Sequence, residues 1–289
     1  SRGLGDVYKR QIILDGPYSN SAFDIVCKND KVYMIIGGKD LLNGKRFDKG
    51  GYILTYDYDK WSFIDPKEAQ KKLNLPRNPR DYTSIAVTTD DSNDEIVYAS
   101  SMGDGVIQYK NGTPVQSYNE KNAFKETAGG YGSGYCYIDG LAFDKNGNLW
   151  MTSSEVNHAV LVLDKAGAWH RLDIEQLRGV YTINDILITS TNDKWIYVPR
   201  NTPKLVMIPN SESLDEVSSY EFTTLIDTDG KELTPSNYTC VAEDKDGYIW
   251  VGTNRGAVYF TKPRISSAED KAATRCTSCL LYTSDAADE

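Results

Sequence analysis

The sequence predicts an all-β chain, specifically a β-propeller of four-stranded blades. One hairpin phrase occurs twice, as GLAFDKNGNLWMTS over Gly140–Ser153 and as CVAEDKDGYIWVGT over Cys240–Thr253. Short apolar runs, alternating or apolar on both faces, recur along the chain between Gly-, Asn- and Asp-rich turns. The 20 Tyr and five Trp outweigh four Met, a balance that suits sheets better than helices.

Each copy of the phrase has its own local logic. Asp144 and Asp244 are placed to accept from the backbone two residues on, and Gly147 and Gly247 supply the positive φ that closes a hairpin. Trp150 and Trp250 follow on the second strand, where a large ring can fill the space between neighbouring sheets. A hairpin repeated at intervals of tens of residues signals a β repeat array, here a propeller.

Five units follow in order. The first covers residues 23–65, with Val32, Met34 and Ile36 alternating against Tyr33 and Ile35. A helix is expected next, with Asp65 as N-cap, Pro66 in the first turn and a stop at Leu75-Pro76. The second unit covers 83–118, with an Asn111-Gly112 turn before its last strand. The third covers 137–174 and the fourth 184–222, which sets Trp195 where Trp150 stands. The fifth covers 238–260 and is expected to lack its outer strand, while 265–278 begins a following segment. The anchors Ile25, Ile85, Leu141, Ile186 and Val241 lie 60, 56, 45 and 55 residues apart. Most of these intervals exceed a minimal blade of ~40–50 residues, so insertions are expected at Leu41–Gly50, at the helix and at the Gly/Tyr-rich loop Ala128–Cys136. About five blades leave the ring incomplete, with apolar faces bare at the first and last units.

The two ends are set apart from the fold. Asp6–Gln11 is what GAT GTG TAT AAG AGA CAG encodes, and the reverse complement, shifted by one base, encodes Cys279–Ser284. Ser1–Gln11 and Cys279–Glu289 are therefore expected to be sequencing-adapter translations, and the propeller to span 12–264. The CxxC formed by Cys276 and Cys279 then carries no redox or zinc meaning.

Composition narrows the function. With 32 Lys+Arg against 41 Asp+Glu the net charge is −9, and no basic run marks a nucleic-acid surface. No apolar stretch reaches the ~20 residues of a membrane helix. Cys27, Cys136, Cys240 and Cys276 show no ligand spacing; Cys27 and Cys240, in apolar strands, are expected to be buried free thiols.

The hairpin phrase resembles the repeat of the two-component-regulator propeller family, roughly D-x-x-G-x-hydrophobic-W-hydrophobic-G-T. Asp244, Gly247, Trp250, Gly252 and Thr253 match it, as do Asp144, Gly147 and Trp150, with Met151-Thr152 and Ser153 departing from it. A longer series is similar to a middle propeller of the PorZ-type surface proteins of the type IX secretion system. It comprises FDIVCKNDKVYMIIGG, RDYTSIAV, GVIQYKNG, YNEKNAF and DGLAFDKNGNLWMTSS, in that order. The resemblance implies a non-catalytic module at the cell surface, outer membrane or periplasm. Its partners would be other secretion or attachment proteins or a surface glycan, lipopolysaccharide. Two alternatives stay open: the periplasmic oligosaccharide sensor of a hybrid two-component regulator, and a propeller lyase or hydrolase.

Neither a catalytic residue nor a cofactor site emerges from the residues. His158, in the turn between the second and third strands of its unit, has no second loop histidine to complete a base pair; a solvated loop residue is the plainer reading, and His170 suits an outer surface. A sialidase box fails because Lys145 and Lys245 stand where it needs Asp. The paired carboxylates Asp139/Asp144 and Glu243/Asp244/Asp246 suit turn capping better than metal. In the loop AGGYGSGYCY, Tyr131, Tyr135 and Tyr137 could offer flat faces to a sugar, or simply rest on neighbouring blades.

Overall fold

The computed structural model describes residues 16–41, 43–124, 135–215, 217–226 and 229–261, with the backbone of 274 and 275. The adapter-like ends 1–11 and 279–289 lie outside these residues.

Blade one is a meander of β1 (Ala22–Lys28), β2 (Lys31–Ile36), β3 (Ile53–Asp57) and β4 (Lys60–Ile64). The helix α1 (Pro66–Leu73) follows as expected, its first turn capped by the Asp65 carboxylate accepting the Lys67 N–H at 2.9 Å. It stops before Leu75-Pro76 because Asn74 turns left-handed, with φ 50°, and donates its N–H to the Gln70 carbonyl.

Blade two is β5 (Tyr82–Thr89), β6 (Glu95–Gly103), β7 (Gly105–Lys110) and β8 (Thr113–Tyr118). Blade three is β9 (Cys136–Phe143), β10 (Leu149–Ser153), β11 (Val160–Leu163) and β12 (Trp169–Leu172). The two join where Met102 and Gly103 pair with Tyr137 and Cys136. Blade four is β13 (Ile186–Ile188), β14 (Lys194–Val198), β15 (Lys204–Ile208) and β16 (Tyr220–Phe222). A small hairpin that the apolar pattern does not announce, β17 (Leu225–Ile226) and β18 (Glu232–Leu233), leads to blade five. Blade five is β19 (Tyr238–Glu243), β20 (Ile249–Thr253) and β21 (Gly256–Phe260), completed by β22 (Thr274–Arg275). The expectation that this unit lacks an outer strand is thus corrected. A two-residue strand, separated from β21 by 13 residues, carries no periodicity to read.

The core is divided among the gaps between successive sheets. Tyr33, Ile35 and Ile53 of blade one meet Ile85, Val87 and Val97 of blade two. Leu141 and Met151 then pack on Ala86 and Tyr98, Ile186 and Ile196 on Trp150, and Val251 and Phe260 on Trp195. The anchor of every blade therefore faces the blade before it, and the β10- or β14-type tryptophan faces the blade after it.

That rule leaves two faces without a neighbouring blade among the described residues, the first partly covered by Tyr18, whose ring stacks on Phe63 at 4.6 Å. Ile25 aligns across blade one with Met34, Leu54 and Phe63. Ile25 is 55% exposed and Phe63 49%, whereas Ile85, Leu141 and Ile186 are 1%, 4% and 4% exposed. On blade five, Cys240 and Ala242 are exposed and Trp250 is only half-buried, although its counterpart Trp150 is 1% exposed. The expectation of buried thiols at Cys27 and Cys240 is corrected for the same reason: both lie on these bare faces, while Cys136 between blades is buried.

Candidate functional site

The repeat motif proves to be a polar clasp around a tryptophan. Asp144 accepts from the N–H of Asn146 and of Asn148 through Oδ1, at 2.9 and 2.8 Å, and from the Trp150 indole through Oδ2 at 2.9 Å. Asp244 does the same with Asp246, Tyr248 and Trp250, at 2.9, 2.9 and 2.7 Å. Gly147 and Gly247 hold φ of 84° and 82° in these turns. The turn was legible from the sequence, but the indole bond six residues on was not. Gly252 and Thr253 close the motif at the end of β20, where the Thr253 hydroxyl donates to the Gly256 carbonyl at 2.6 Å. In blade four Thr189 occupies the Asp position, and the Trp195 indole N–H has no hydrogen-bond partner among the described residues.

A second constellation lies on the inner edges of the blades, where the β1, β5, β9 and β13 strands converge. Asp24 accepts the Ile85 N–H at 3.2 Å, and Ser84 accepts the Leu141 N–H at 3.2 Å, so each inner strand ties to the next. Gly140 has to be glycine here, since a Cβ would stand 2.8 Å from the Ile186 nitrogen. Phe23, Asp24, Lys39, Thr83, Asp139, Asn184, Asp185 and Tyr197 enclose an axial cavity of about 140 Å3. Lys39 reaches it from the loop after β2. Its ammonium pairs with Asp139 and donates to the Ile183 carbonyl at 3.1 Å, both side chains being buried. Ser154 donates to the other Asp139 oxygen at 2.5 Å.

Burial dominates the electrostatics of this cavity. It pushes the Asp139 carboxyl up against the opposing pull of Lys39 and Ser154. It raises Asp24 likewise, against hydrogen bonds from Ile25, Ile85 and Ser84. Asp185 is pushed up to about 7, first by burial and then by the charge of Asp24, with the Ile186 N–H and Lys39 opposing. Asp185 is nonetheless accessible from the cavity, so water there screens it. Three carboxylates, one ammonium and an amide give the cavity wall an excess of acidic groups. Nothing in the sequence marks Lys39 or Asp185; only their axial placement, which needs the fold, gives them meaning.

The other candidate residues are dispersed. Tyr137 borders a small pocket beside Lys39 and Asp139. Tyr135 lies with its ring 5.8 Å from the Arg46 guanidinium and 5.4 Å from that of Arg77, which pairs with Asp104. The Tyr135 and Tyr137 rings meet edge to face at 6.3 Å. Tyr131 lies outside the described residues. His158 is half-buried in the β10–β11 turn, and its charge helps to lower the Asp173 carboxyl, chiefly held down by Arg178. It lines neither cavity. His170 is more engaged than a surface residue, with Nε2 2.9 Å from Asp164. Among the described residues, no group of His, Cys, Asp and Glu is arranged to hold a metal ion.

Residues 232–255, from β18 through β20 to the turn after it, match the model of the two component regulator propeller family. That segment is similar to one repeat of this family. Among solved structures it is similar to PorZ of Porphyromonas gingivalis, a surface component of the type-IX secretion system. The identity is 19% and the TM-score 0.73, over 86% of this chain and 34% of PorZ. It is also similar to the extracellular domain of a hybrid two component system of B. thetaiotaomicron, at 16% identity and TM-score 0.53, over 89% of this chain and 34% of that one. Virginiamycin B lyase of Staphylococcus aureus aligns at 13% identity and TM-score 0.55, over 89% of this chain and 71% of the lyase. The chain thus spans about a third of the length of the first two. No curated protein matches the sequence. The two-component regulator propeller repeat and these likenesses agree on the propeller fold.

Proposed function

We propose that the chain is a non-catalytic binding module of a cell-surface or periplasmic protein of the PorZ kind, engaging secretion-complex proteins or a surface glycan. The observation that carries this reading is the likeness to PorZ along 86% of the chain at a TM-score of 0.73. The chemistry of the axial cavity suits the protein-binding part of this reading, not an anionic glycan in that cavity. The axial cavity offers charge and hydrogen bonds, and Lys39, the one basic group lining it among the described residues, is committed to Asp139. A second reading, the sensor propeller of a two-component regulator that binds oligosaccharides, is favoured by the repeat at residues 232–255.

Surface-immobilised chain separates the two. Saturable binding of lipopolysaccharide or of outer-membrane secretion proteins supports the first reading, and binding of oligosaccharides alone supports the second. Turnover of any glycan or lactone by the purified chain would overturn both.

A further inference from the structure

We propose that the axial cavity is a site for a hydrogen-donating organic cation, the guanidinium or ammonium head of a small amine or of a basic side chain. The acceptors around the cavity are nearly all in use. Asp139 gives one oxygen to Lys39 and the other to Ser154. Asp24 gives Oδ1 to the Ile25 N–H and Oδ2 to Ser84 and the Ile85 N–H. Asp185 gives Oδ1 to the Ile186 N–H at 2.9 Å, which leaves Oδ2. The remaining acceptor is the side-chain oxygen of Asn184. That residue lines the cavity at 5% exposure, its amide nitrogen anchored on the Tyr197 hydroxyl at 3.4 Å and its oxygen without a partner among the described residues.

A buried unpaired carbonyl oxygen is costly unless something donates to it. Here it stands next in sequence to an accessible carboxylate, in a cavity whose three carboxylates outnumber its one ammonium. Two open acceptors, one charged and one neutral, match the fork of N–H groups on a guanidinium or the tripod of an ammonium. They fall short of the roughly six oxygens that a magnesium or calcium ion needs. The excess negative charge also disfavours an anionic ligand.

The site deepens the binding-module reading and rests on it only for the idea that the chain binds rather than transforms. The two therefore fail separately, the module reading by turnover and the site by the following titration. Agmatine is titrated into the full chain at pH 8 by calorimetry, with acetyl-Gly-Arg-Gly-amide as a second arm. Saturable binding is expected to weaken about tenfold in Asp185→Asn and to weaken in Asn184→Leu, while Asp215→Asn leaves it unchanged. The melting temperature of Asn184→Leu should hold or rise, because the unpaired carbonyl is gone, so lost binding cannot be laid to lost folding. Binding of both probes marks a side chain as an acceptable source; binding of agmatine alone marks a free amine. Failure of both probes to bind, equal affinity in all three variants, or displacement of agmatine by equimolar calcium overturns the proposal.

Discussion

Lys39 and Asp139 stand 100 residues apart in sequence and form an ion pair in which both side chains are buried, joining the loop after β2 to the inner strand of blade three. The pair bypasses blade two altogether. It is also enclosed by the Ser154 hydroxyl and the Ile183 carbonyl, so neither charge is left to water.

Removing one partner from such a pair leaves an uncompensated buried charge, at a cost of about 3–5 kcal/mol. Lys39→Met and Asp139→Leu should each lower stability by that amount in denaturant unfolding. The double variant should recover most of the loss. Strictly additive costs would show that the two residues are not coupled.

The tryptophan clasp gives a second test. Trp150→Phe and Trp195→Phe remove the same atoms from two equally buried sites, but only Trp150 gives its indole N–H to a carboxylate. Trp150→Phe should cost about 1 kcal/mol more than Trp195→Phe. Equal costs would mean that the Asp144 bond contributes nothing net.

Thiol chemistry reads the bare faces. With Cys276 and Cys279 replaced by Ser, an aromatic disulfide reagent should label Cys27 and Cys240 in the native chain and Cys136 only after unfolding. The same native protein should bind a hydrophobic dye through the exposed surface around Ile25 and Phe63. Slow labelling at both Cys27 and Cys240 would show that the two faces are covered in solution.

The acid cavity predicts an unusual pH dependence. Its partly enclosed position and the carboxylates around it push the folded-state Asp185 carboxyl up toward about 7, above the ordinary ~3.9 of an unfolded aspartate, by less where cavity water reaches it. The folded state therefore holds the extra proton between these values, and stability from this group is lost as pH rises through 7. Asp24 is shifted in the same direction, and Asp139, Lys39 and Tyr197 face the same space. Asp90, Asp94 and Asp164, which are shifted down, are already fully ionised there. The melting temperature should fall between pH 5.5 and 8, and Asp185→Asn should flatten the curve. A flat wild-type profile would refute the assignment.

The sheets were legible in the sequence because each strand carries its own apolar pattern and each hairpin its own turn residues. All five units begin within about two residues of the positions that Phe23, Thr83, Tyr137, Asn184 and Tyr238 mark. What eluded the sequence are relations between blades. Nothing local links Lys39 to Asp139, or tells that Cys27 and Cys240 sit on faces that meet no other blade among the described residues. In the sequence Asp139 has only Asp144 for a neighbouring carboxylate, yet Asp144, five residues on, serves a different network beyond the far end of the same strand. The short β22 and the β17–β18 hairpin escaped because two residues define no period.

The contact rule between blades has a direction. A tryptophan face always meets an anchor face, as Trp150 meets Ile186 and Trp195 meets Val251 with its neighbours, and never its own kind. Such an interface is heterologous, and a heterologous interface does not limit its own repetition; only the small rotation between successive units decides whether it closes into a ring or continues as a helix. Duplication of a unit therefore yields a new junction of the same polarity, a forward face against an anchor face. Ring size can change by whole blades through gene duplication, each new junction starting from the right kind of face and needing only its side chains refitted.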